Sequence, residues 1–137
     1  MKFSLCIVLL FFITGGCSNP ESLENEPDGS IRGNVIPGEA AGRSGQIRIV
    51  ASRTSEWEDI DWDTNAITLS AYGAYEIEEL TAGKYYVIIH LDENRNGSVD
   101  SGEPWGGHDT NGDKRLDPVT IVGGNTVTVD VRFYAFY

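Results

Sequence analysis

Cysteine and histidine are scarce in this chain of 137 residues. Its two cysteines, Cys6 and Cys17, lie near the N-terminus, so the residues after them have no thiol for a disulfide or for nucleophilic attack. The only histidines are His90 and His108. A zinc site usually takes several of its three or four ligands from His or Cys. These absences exclude a disulfide-stapled domain and argue against a zinc centre, so we expect both histidines to pack or to form hydrogen bonds.

Motifs of nucleophilic catalysis are missing as well. The chain has no Gly-x-Ser-x-Gly sequence, and no Ser–His–Asp order stands out. Carboxylates for glycoside hydrolysis are available by count, but the acidic residues follow the spacing of a metal-binding loop instead. We therefore expect a protein that is not an enzyme.

Basic residues are few. Ten Lys and Arg stand against twenty-one Asp and Glu, which gives a net charge of −11 at pH 7. Such a surface disfavours nucleic-acid phosphates and anionic membranes, and it favours cations. We therefore expect no nucleic-acid partner.

Long hydrophobic runs are limited to residues 5–13, a stretch too short to span a bilayer. It follows Lys2 and precedes three small residues and Cys17, an order typical of a signal peptide. A cysteine directly after small residues resembles the lipobox of bacterial lipoproteins, which implies cleavage before Cys17 and lipidation of that residue. A buried or free cysteine in a membrane anchor is the alternative. The sequence thus predicts a lipoprotein signal peptide over residues 1–16.

The segment after the signal peptide is polar. Residues 17–29 include two prolines and four acidic residues and have almost nothing to bury, which predicts a disordered, lipidated tether. The tether would attach a domain of residues 30–137 to the cell envelope, at the outer membrane or the cell surface.

From residue 30 onward, apolar and polar residues alternate with the period of β-strands, and no helical window of useful length occurs. Short strands with turn residues between them, about ten residues apart, are typical of an antiparallel sandwich. We therefore predict an all-β fold with seven antiparallel strands. The predicted strands are residues 31–35, 46–53, 66–71, 74–77, 84–91, 119–122 and 126–137.

One local motif narrows the expected fold. The pattern Tyr75-x-Ile77-x-x-Leu80-x-x-Gly83-x-Tyr85 gives a strand, a tight turn and a second strand, with Gly83 supplying a positive φ and Leu80 packing beneath it. It resembles the core of the carboxypeptidase regulatory-like and Cna B-type domains. This resemblance implies an Ig-like, prealbumin-like sandwich with an Asp/Asn-rich loop inserted after the second strand. Because this fold serves as scaffold, stalk and binding module, it implies no single function. The His/Arg set and C-terminal tetrapeptide of transthyretin-like hydrolases of this fold are not seen here.

The most informative stretch is residues 92–117, which holds seven acidic residues and five glycines. Its first half has oxygen-bearing side chains at positions 1, 3, 5, 9 and 12 of a calcium loop, with Gly97 at position 6. Position 7 offers its backbone carbonyl, and position 12 offers a bidentate carboxylate. The predicted Ca²⁺ ligands are Asp92, Asn94, Asn96, Ser98, Asp100 and Glu103.

Helices do not flank this loop. An apolar strand precedes it, and Pro104 follows Glu103 directly and disfavours a helical conformation there. The loop is therefore of the EF-hand type without EF-hand helices. This excludes a switch that opens a pair of helices and favours a structural calcium site.

A second, weaker match follows. Side-chain oxygens recur at positions 1, 3, 5 and 9, but position 6 is Lys114 instead of glycine, and position 12 is Thr120 instead of glutamate. Either this loop is a second, weaker site, or its residues complete the first one. Its predicted ligands are Asp109, Asn111, Asp113, Arg115 through its carbonyl, and Asp117.

The acidic segment 55–63 contains Trp57 and Trp62. These rings would either stack on a glycan or protein ligand or cap the end of the sandwich. We therefore expect a calcium-stabilised lipoprotein that acts as a binding, adhesion or assembly module of the cell envelope. The alternative is a carbohydrate-binding lipoprotein that uses Trp57 and Trp62.

Overall fold

The computed structural model describes residues 28–137. The predicted signal peptide (1–16), Cys17 and nearly all of the predicted tether lie outside the described residues. Within them, no helix is long and apolar enough to cross a membrane. Two 3₁₀ helices occur, Gly38–Ala40 and Trp57–Asp59. The strands are β1 (Gly29–Ile36), β2 (Gln46–Ser52), β3 (Ala66–Leu69), β4 (Ala74–Leu80), β5 (Gly83–Asp92), β6 (Pro104–Gly107), β7 (Pro118–Ile121), β8 (Thr126–Thr128) and β9 (Val131–Phe136).

These strands form one mixed sheet in the order β3-β2-β5-β6-β9-β1-β4, with β7 paired to β5 and β8 paired to β1. The predicted all-β fold is confirmed. The prediction of seven antiparallel strands is wrong, because the described residues form nine strands and β1 pairs in parallel with β8 and β9. The predicted strand 126–137 is broken near Asp130, whose side chain accepts a hydrogen bond from the backbone N–H of Asn34 (2.9 Å). The missing ninth strand is β6, which was expected to be loop.

The main core lies on the inner face of the curved sheet. β3 and β4, at the two ends of the strand order, approach within 8 Å between Cα atoms. The four large side chains of the predicted Tyr–Ile–Leu–Tyr motif are all buried there. Gly83 has the expected positive φ, +142°, and the Arg53 side chain occupies the space that a Cβ would need. The largest fully buried apolar residues are Tyr85, Phe133, Ile31, Ile47, Ile49, Leu80, Ile88, Ile89, Leu91 and Ile121.

Strand β5 is the centre of the fold. It pairs with β2 along one edge and with β6 and β7 along the other. Its outward-facing residue Ile88 joins Val50 and Ile60 in a second apolar cluster on the outer face of the sheet. β5 is therefore buried on both faces, which explains its uninterrupted apolar run over residues 85–89.

The order of pairing along β5 places the two predicted calcium loops. β6 pairs with residues 88–90 of β5, and β7 pairs with residues 83–86. The first loop, residues 92–103, therefore connects the end of β5 to β6. The second loop, residues 109–117, lies between β6 and β7, beside the middle of β5.

Candidate metal centre

The first loop is folded around the buried carboxylate of Asp92. This residue ends β5, pairs with Gln46 and is 0% exposed. Its Oδ1 accepts the backbone N–H of Asn96 (3.1 Å), and its Oδ2 accepts that of Gly97 (2.8 Å). Gly97 has a φ of +81°, as a glycine at position 6 should. A buried carboxylate is strongly unfavourable unless it is hydrogen-bonded, so these two N–H groups keep Asp92 tolerable inside the fold.

The asparagines of the first loop bond both to the backbone and to Asp100. The Oδ1 of Asn94 accepts the N–H of Asn96 (3.0 Å), and the Oδ1 of Asn96 accepts the N–H of Ser98 (2.8 Å). Their amide groups donate to Oδ2 of Asp100, at 2.8 and 2.7 Å. These two bonds hold the pKa of Asp100 below its ordinary value, and the bond from Asn94 has the larger effect. Asp100 is therefore ionised at neutral pH, the form that a cation needs.

Glu103 is the last residue of the first loop, and it is buried, with 4% exposure. Its Oε1 accepts the backbone N–H of Glu93 (2.7 Å), and its Oε2 accepts that of Asp100 (2.8 Å). Oε2 also lies 2.8 Å from Nε2 of the fully buried His90. In the tautomer with its proton on Nε2, His90 donates to this carboxylate. The expectation that His90 forms a hydrogen bond is confirmed.

Two arginines outside the loop bind it, Arg48 from β2 and Arg43 from the segment before β2. Arg48 donates from Nη1 to the carbonyl of Gly97 (2.6 Å), and its guanidinium lies 5.4 Å from the centre of the Trp62 ring. Arg43 forms a two-point ion pair with Glu93, at 2.6 and 2.8 Å. Neither arginine was expected from the motif. Their signal in the sequence is indirect, since Arg48 becomes a neighbour only because β2 places it opposite His90.

The second loop repeats the backbone pattern of the first. Position 1, Asp109, accepts the N–H of position 6, Lys114, through Oδ2 (2.8 Å). Position 3, Asn111, accepts from Asp113 (2.9 Å), and position 5, Asp113, accepts from Arg115 (2.9 Å). The same three bonds, from position 6 to 1, from 5 to 3 and from 7 to 5, occur in the first loop. The two motifs thus share one conformation over positions 1 to 7.

The surroundings of the second loop differ. Asp117 at position 9 accepts from both the backbone N–H and the hydroxyl of Thr110 (2.7 and 2.5 Å), and these bonds lower its pKa. Burial alone would raise the pKa of Asp109, but backbone N–H groups, chiefly those of Lys114 and Gly112, outweigh it and lower the pKa. Thr120 at position 12 is exposed in β7 and brings no carboxylate. The second loop therefore has ionised acids but an incomplete ligand set.

The side chains of each loop bond within their own neighbourhood. The ligand side chains of the second loop bond only to residues 109–117 in the described structure, and those of the first loop bond to residues 90–103. This separation favours two sites over one site completed by both loops.

The chemistry of the donors can be tested against Ca²⁺. The first loop offers three carboxylates, two amide oxygens and a backbone carbonyl, which are the hard oxygen ligands that Ca²⁺ prefers. Their positions fit less closely, because residues 28–137 contain no group of three His, Cys, Asp or Glu side chains close enough to hold a metal ion. The carboxylates bond instead to N–H groups of the loop. Holding a cation therefore requires the carboxylates of either loop to move closer together than they are in this structure.

An aromatic layer covers the outer face of the sheet between the loops. The Trp57 ring lies 5.1 Å from Trp105 and 5.4 Å from Tyr137, and Trp62 lies 5.7 Å from Trp57. Trp105 in turn lies 5.4 Å from Tyr134. Trp57 and Trp62 are half-buried, and they lie over the face of the sheet, whereas the expected cap was at its end. The place of Trp105 in this layer was not expected, because β6 was assigned to the loop.

His108 and Leu116 lie beside this layer. The Nδ1 atom of His108 is 3.4 Å from the carbonyl of Asp130, as expected for a hydrogen-bonding histidine. Leu116, the apolar residue at position 8 of the second loop, packs against the cluster of Val50, Ile60 and Ile88. It therefore anchors the second loop to the sheet.

No family model, curated protein or solved structure matches this chain.

Proposed function

We propose that this chain is a calcium-stabilised β-domain, held at a bacterial cell-envelope membrane through a lipid on Cys17. In this proposal it acts as a binding, adhesion or assembly module and performs no catalysis. The observation that carries the calcium proposal is the recurrence of one hydrogen-bond pattern at the predicted ligand positions of two separate loops.

The electrostatics of the loops support a cation. Residues 92–117 carry seven acidic and three basic residues, a net charge of −4 within one short segment. In the first loop the side chains of the buried acids Asp92 and Glu103 have only backbone and imidazole N–H groups as hydrogen-bond partners. Bound Ca²⁺ would supply the positive charge that these groups lack.

The expected consequence is stability instead of signalling. The first loop joins β5 to β6. A bound ion would hold the loop residues together and so fix the end of β5 and the start of β6. Binding to the folded state alone adds RT ln(1 + [L]/Kd), about 2.7 kcal/mol at one hundred times Kd. For a domain of this size that corresponds to a rise in melting temperature of roughly 10 °C. Without calcium we expect residues 92–117 to lose order first.

Calorimetric titration and melting curves in Ca²⁺ and in EDTA test this proposal. The wild-type protein should bind Ca²⁺ and melt at a higher temperature with it. Asp92→Asn removes the central charge of the first loop and should abolish most of this rise. Asp61→Asn is the control for loss of one negative charge, because Asp61 also accepts a backbone N–H (2.9 Å, from Asp63) but is exposed and lies outside the loops. Identical melting curves in Ca²⁺ and EDTA, with no heat of binding, would contradict the proposal.

Attachment through Cys17 is tested separately. In a bacterial host the wild-type chain should partition with membranes and incorporate labelled fatty acid. Cys17→Ser should do neither, whereas Cys6→Ser should behave as the wild type, because Cys6 would be removed with the signal peptide. Equal labelling of the Cys17→Ser variant would exclude lipidation at this residue.

Carbohydrate binding by Trp57 and Trp62 has less support. Both rings are half-buried, and Trp57 packs against Trp105 and Tyr137. This packing favours a structural role for the two tryptophans. The prealbumin-like family remains a hypothesis based on the Tyr–Ile–Leu–Gly–Tyr motif.

A further inference from the structure

Tyr134 has a buried hydroxyl without a partner. The residue lies in β9, is 6% exposed and packs its ring against Trp105. Its hydroxyl makes no hydrogen bond within residues 28–137. Buried tyrosine hydroxyls nearly always have a partner, so this one requires an explanation.

The surroundings of Tyr134 belong to the second loop. A cavity of about 330 Å³ is lined by Tyr134 together with Asp109, Gly112 and Lys114 of that loop, and by Glu39 and Arg132. Burial raises the pKa of the Tyr134 hydroxyl, and the carboxylates of Asp109, Asp113 and Asp117 raise it further. These carboxylates are the predicted ligands at positions 1, 5 and 9. The hydroxyl thus lies in the electrostatic field of the second calcium loop.

The carboxylates do not use the hydroxyl as a donor. Both oxygens of Asp109 accept backbone N–H groups instead, including those of Gly112 (2.7 Å) and Lys114 (2.8 Å). The second loop also lacks the position-12 carboxylate, so some other ligand must complete a Ca²⁺ site there. Water commonly fills such a coordination position, and the cavity beside Asp109 has room for it.

We propose that the second loop binds its own Ca²⁺, and that the Tyr134 hydroxyl is the outer hydrogen-bond partner of a water molecule that takes the place of the missing position-12 ligand. This inference rests on the proposed function above. Tyr134 is then a positioning residue: it holds the water through its phenolic oxygen and does not touch the ion. Partners of this kind orient ligands and strengthen metal binding.

The test is Tyr134→Phe in full-length protein, alone and combined with Asp92→Asn, which leaves the second loop as the remaining site. The affinity of the second loop for Ca²⁺, measured by calorimetry, should fall about tenfold. The affinity of the first loop should not change. In EDTA the variant should melt at the same or a higher temperature, because it removes a hydroxyl that has no partner.

Tyr75→Phe is the matched control. Tyr75 is also buried, but its hydroxyl donates to the carbonyl of Val129 (2.7 Å). Its loss should lower the melting temperature in both EDTA and Ca²⁺ and leave calcium affinity unchanged. A merely structural tyrosine would behave in this way, so the two variants separate the two roles.

The outcomes distinguish this inference from the function on which it rests. If wild-type protein binds no Ca²⁺, both proposals fail. If it binds Ca²⁺ but Tyr134→Phe binds equally well at the second loop, only the inference fails. If the Asp92→Asn variant does not fold, Asp109→Asn tests the second site instead. It should reduce the number of bound ions from two to one, and an unchanged number would overturn the second site.

Discussion

The two loops have the same local conformation but different surroundings. In both, the side chains at positions 1, 3 and 5 accept the N–H groups of positions 6, 5 and 7. The first loop is built on two buried acids, and it is bound by Arg48 from β2 and by Arg43 from the segment before β2. The second lies between β6 and β7, and its position-1 acid, Asp109, is only half-buried, whereas positions 3 to 7 are exposed in both loops.

This difference separates the hydrogen bonds that such a loop forms within its own sequence from the support that the rest of the fold must supply. Asp and Asn at alternate positions fold the chain by bonding to backbone two residues or more ahead, and they need no help from the rest of the protein. Completing a ligand set does need help. In the first loop Glu103 is held by His90 from near the end of β5, and the second loop has no equivalent acid.

The largest expected effect comes from removing Glu103, the position-12 acid, which has no counterpart in the second loop. Glu103→Ala would leave the backbone N–H groups of Glu93 and Asp100 and the ring N–H of His90 without their acceptor. We expect it to lower the free energy of unfolding by roughly 3 kcal/mol even in EDTA, since several buried donors lose a charged partner at once. Urea unfolding monitored by tryptophan fluorescence measures this.

Asp117→Ala is the counterpart in the second loop. Asp117 is only partly buried, and its partner Thr110 is exposed and can bond to water instead. The loss of stability should therefore be much smaller than that of Glu103→Ala. Equal losses for the two variants would mean that the loops do not differ in the way that their burial indicates.

The parts of the structure that the sequence predicted correctly depend on local spacing. The loop conformation follows from side chains two to five residues from their backbone partners, and β5 is recognisable by its apolar run over residues 85–89. Gly83 and Leu80 also behave as the motif predicts. In each case the interacting groups are close together in the chain.

Strand β6 could not be predicted in this way. Its sequence, Pro-Trp-Gly-Gly, has residues that are depleted in strands. The glycines are required by close approach, because a Cβ at Gly106 would collide with the carbonyl of Arg132, and one at Gly107 with Val87 and Leu116. This requirement comes from strands far away in the sequence.

The same limit applies to the candidate site. Its predicted ligand positions come from spacing alone, whereas the side chains around them come from distant parts of the chain. Arg48 reaches Gly97 across 49 residues, and Tyr134 reaches the second loop from β9. The parallel pairing of β1 with β8 and β9 likewise depends on which strands the core brings together. Alternation of apolar residues does not specify strand partners.

The smallest expected effect concerns the left-handed residues at positions 4 and 6. Each loop has one glycine and one larger residue there: Arg95 (φ +61°) and Gly97 in the first, Gly112 and Lys114 (φ +68°) in the second. A non-glycine residue in this region costs about 1 kcal/mol, partly offset because glycine makes the unfolded chain more flexible. Arg95→Gly and Lys114→Gly should thus each gain a few tenths of a kcal/mol from relief of strain.

Removal of a positive charge from an acidic loop would mask so small a gain. Arg95→Ala and Lys114→Ala lose the same charge but keep the strain, so the informative quantity is the difference in unfolding free energy between the Gly and Ala variants at each site. We expect this difference to be the same in both loops, because strain at these positions depends on local conformation and not on burial. A difference confined to one loop would show that the shared hydrogen-bond pattern does not impose equal strain, and the comparison between the loops would then hold for geometry but not for energy.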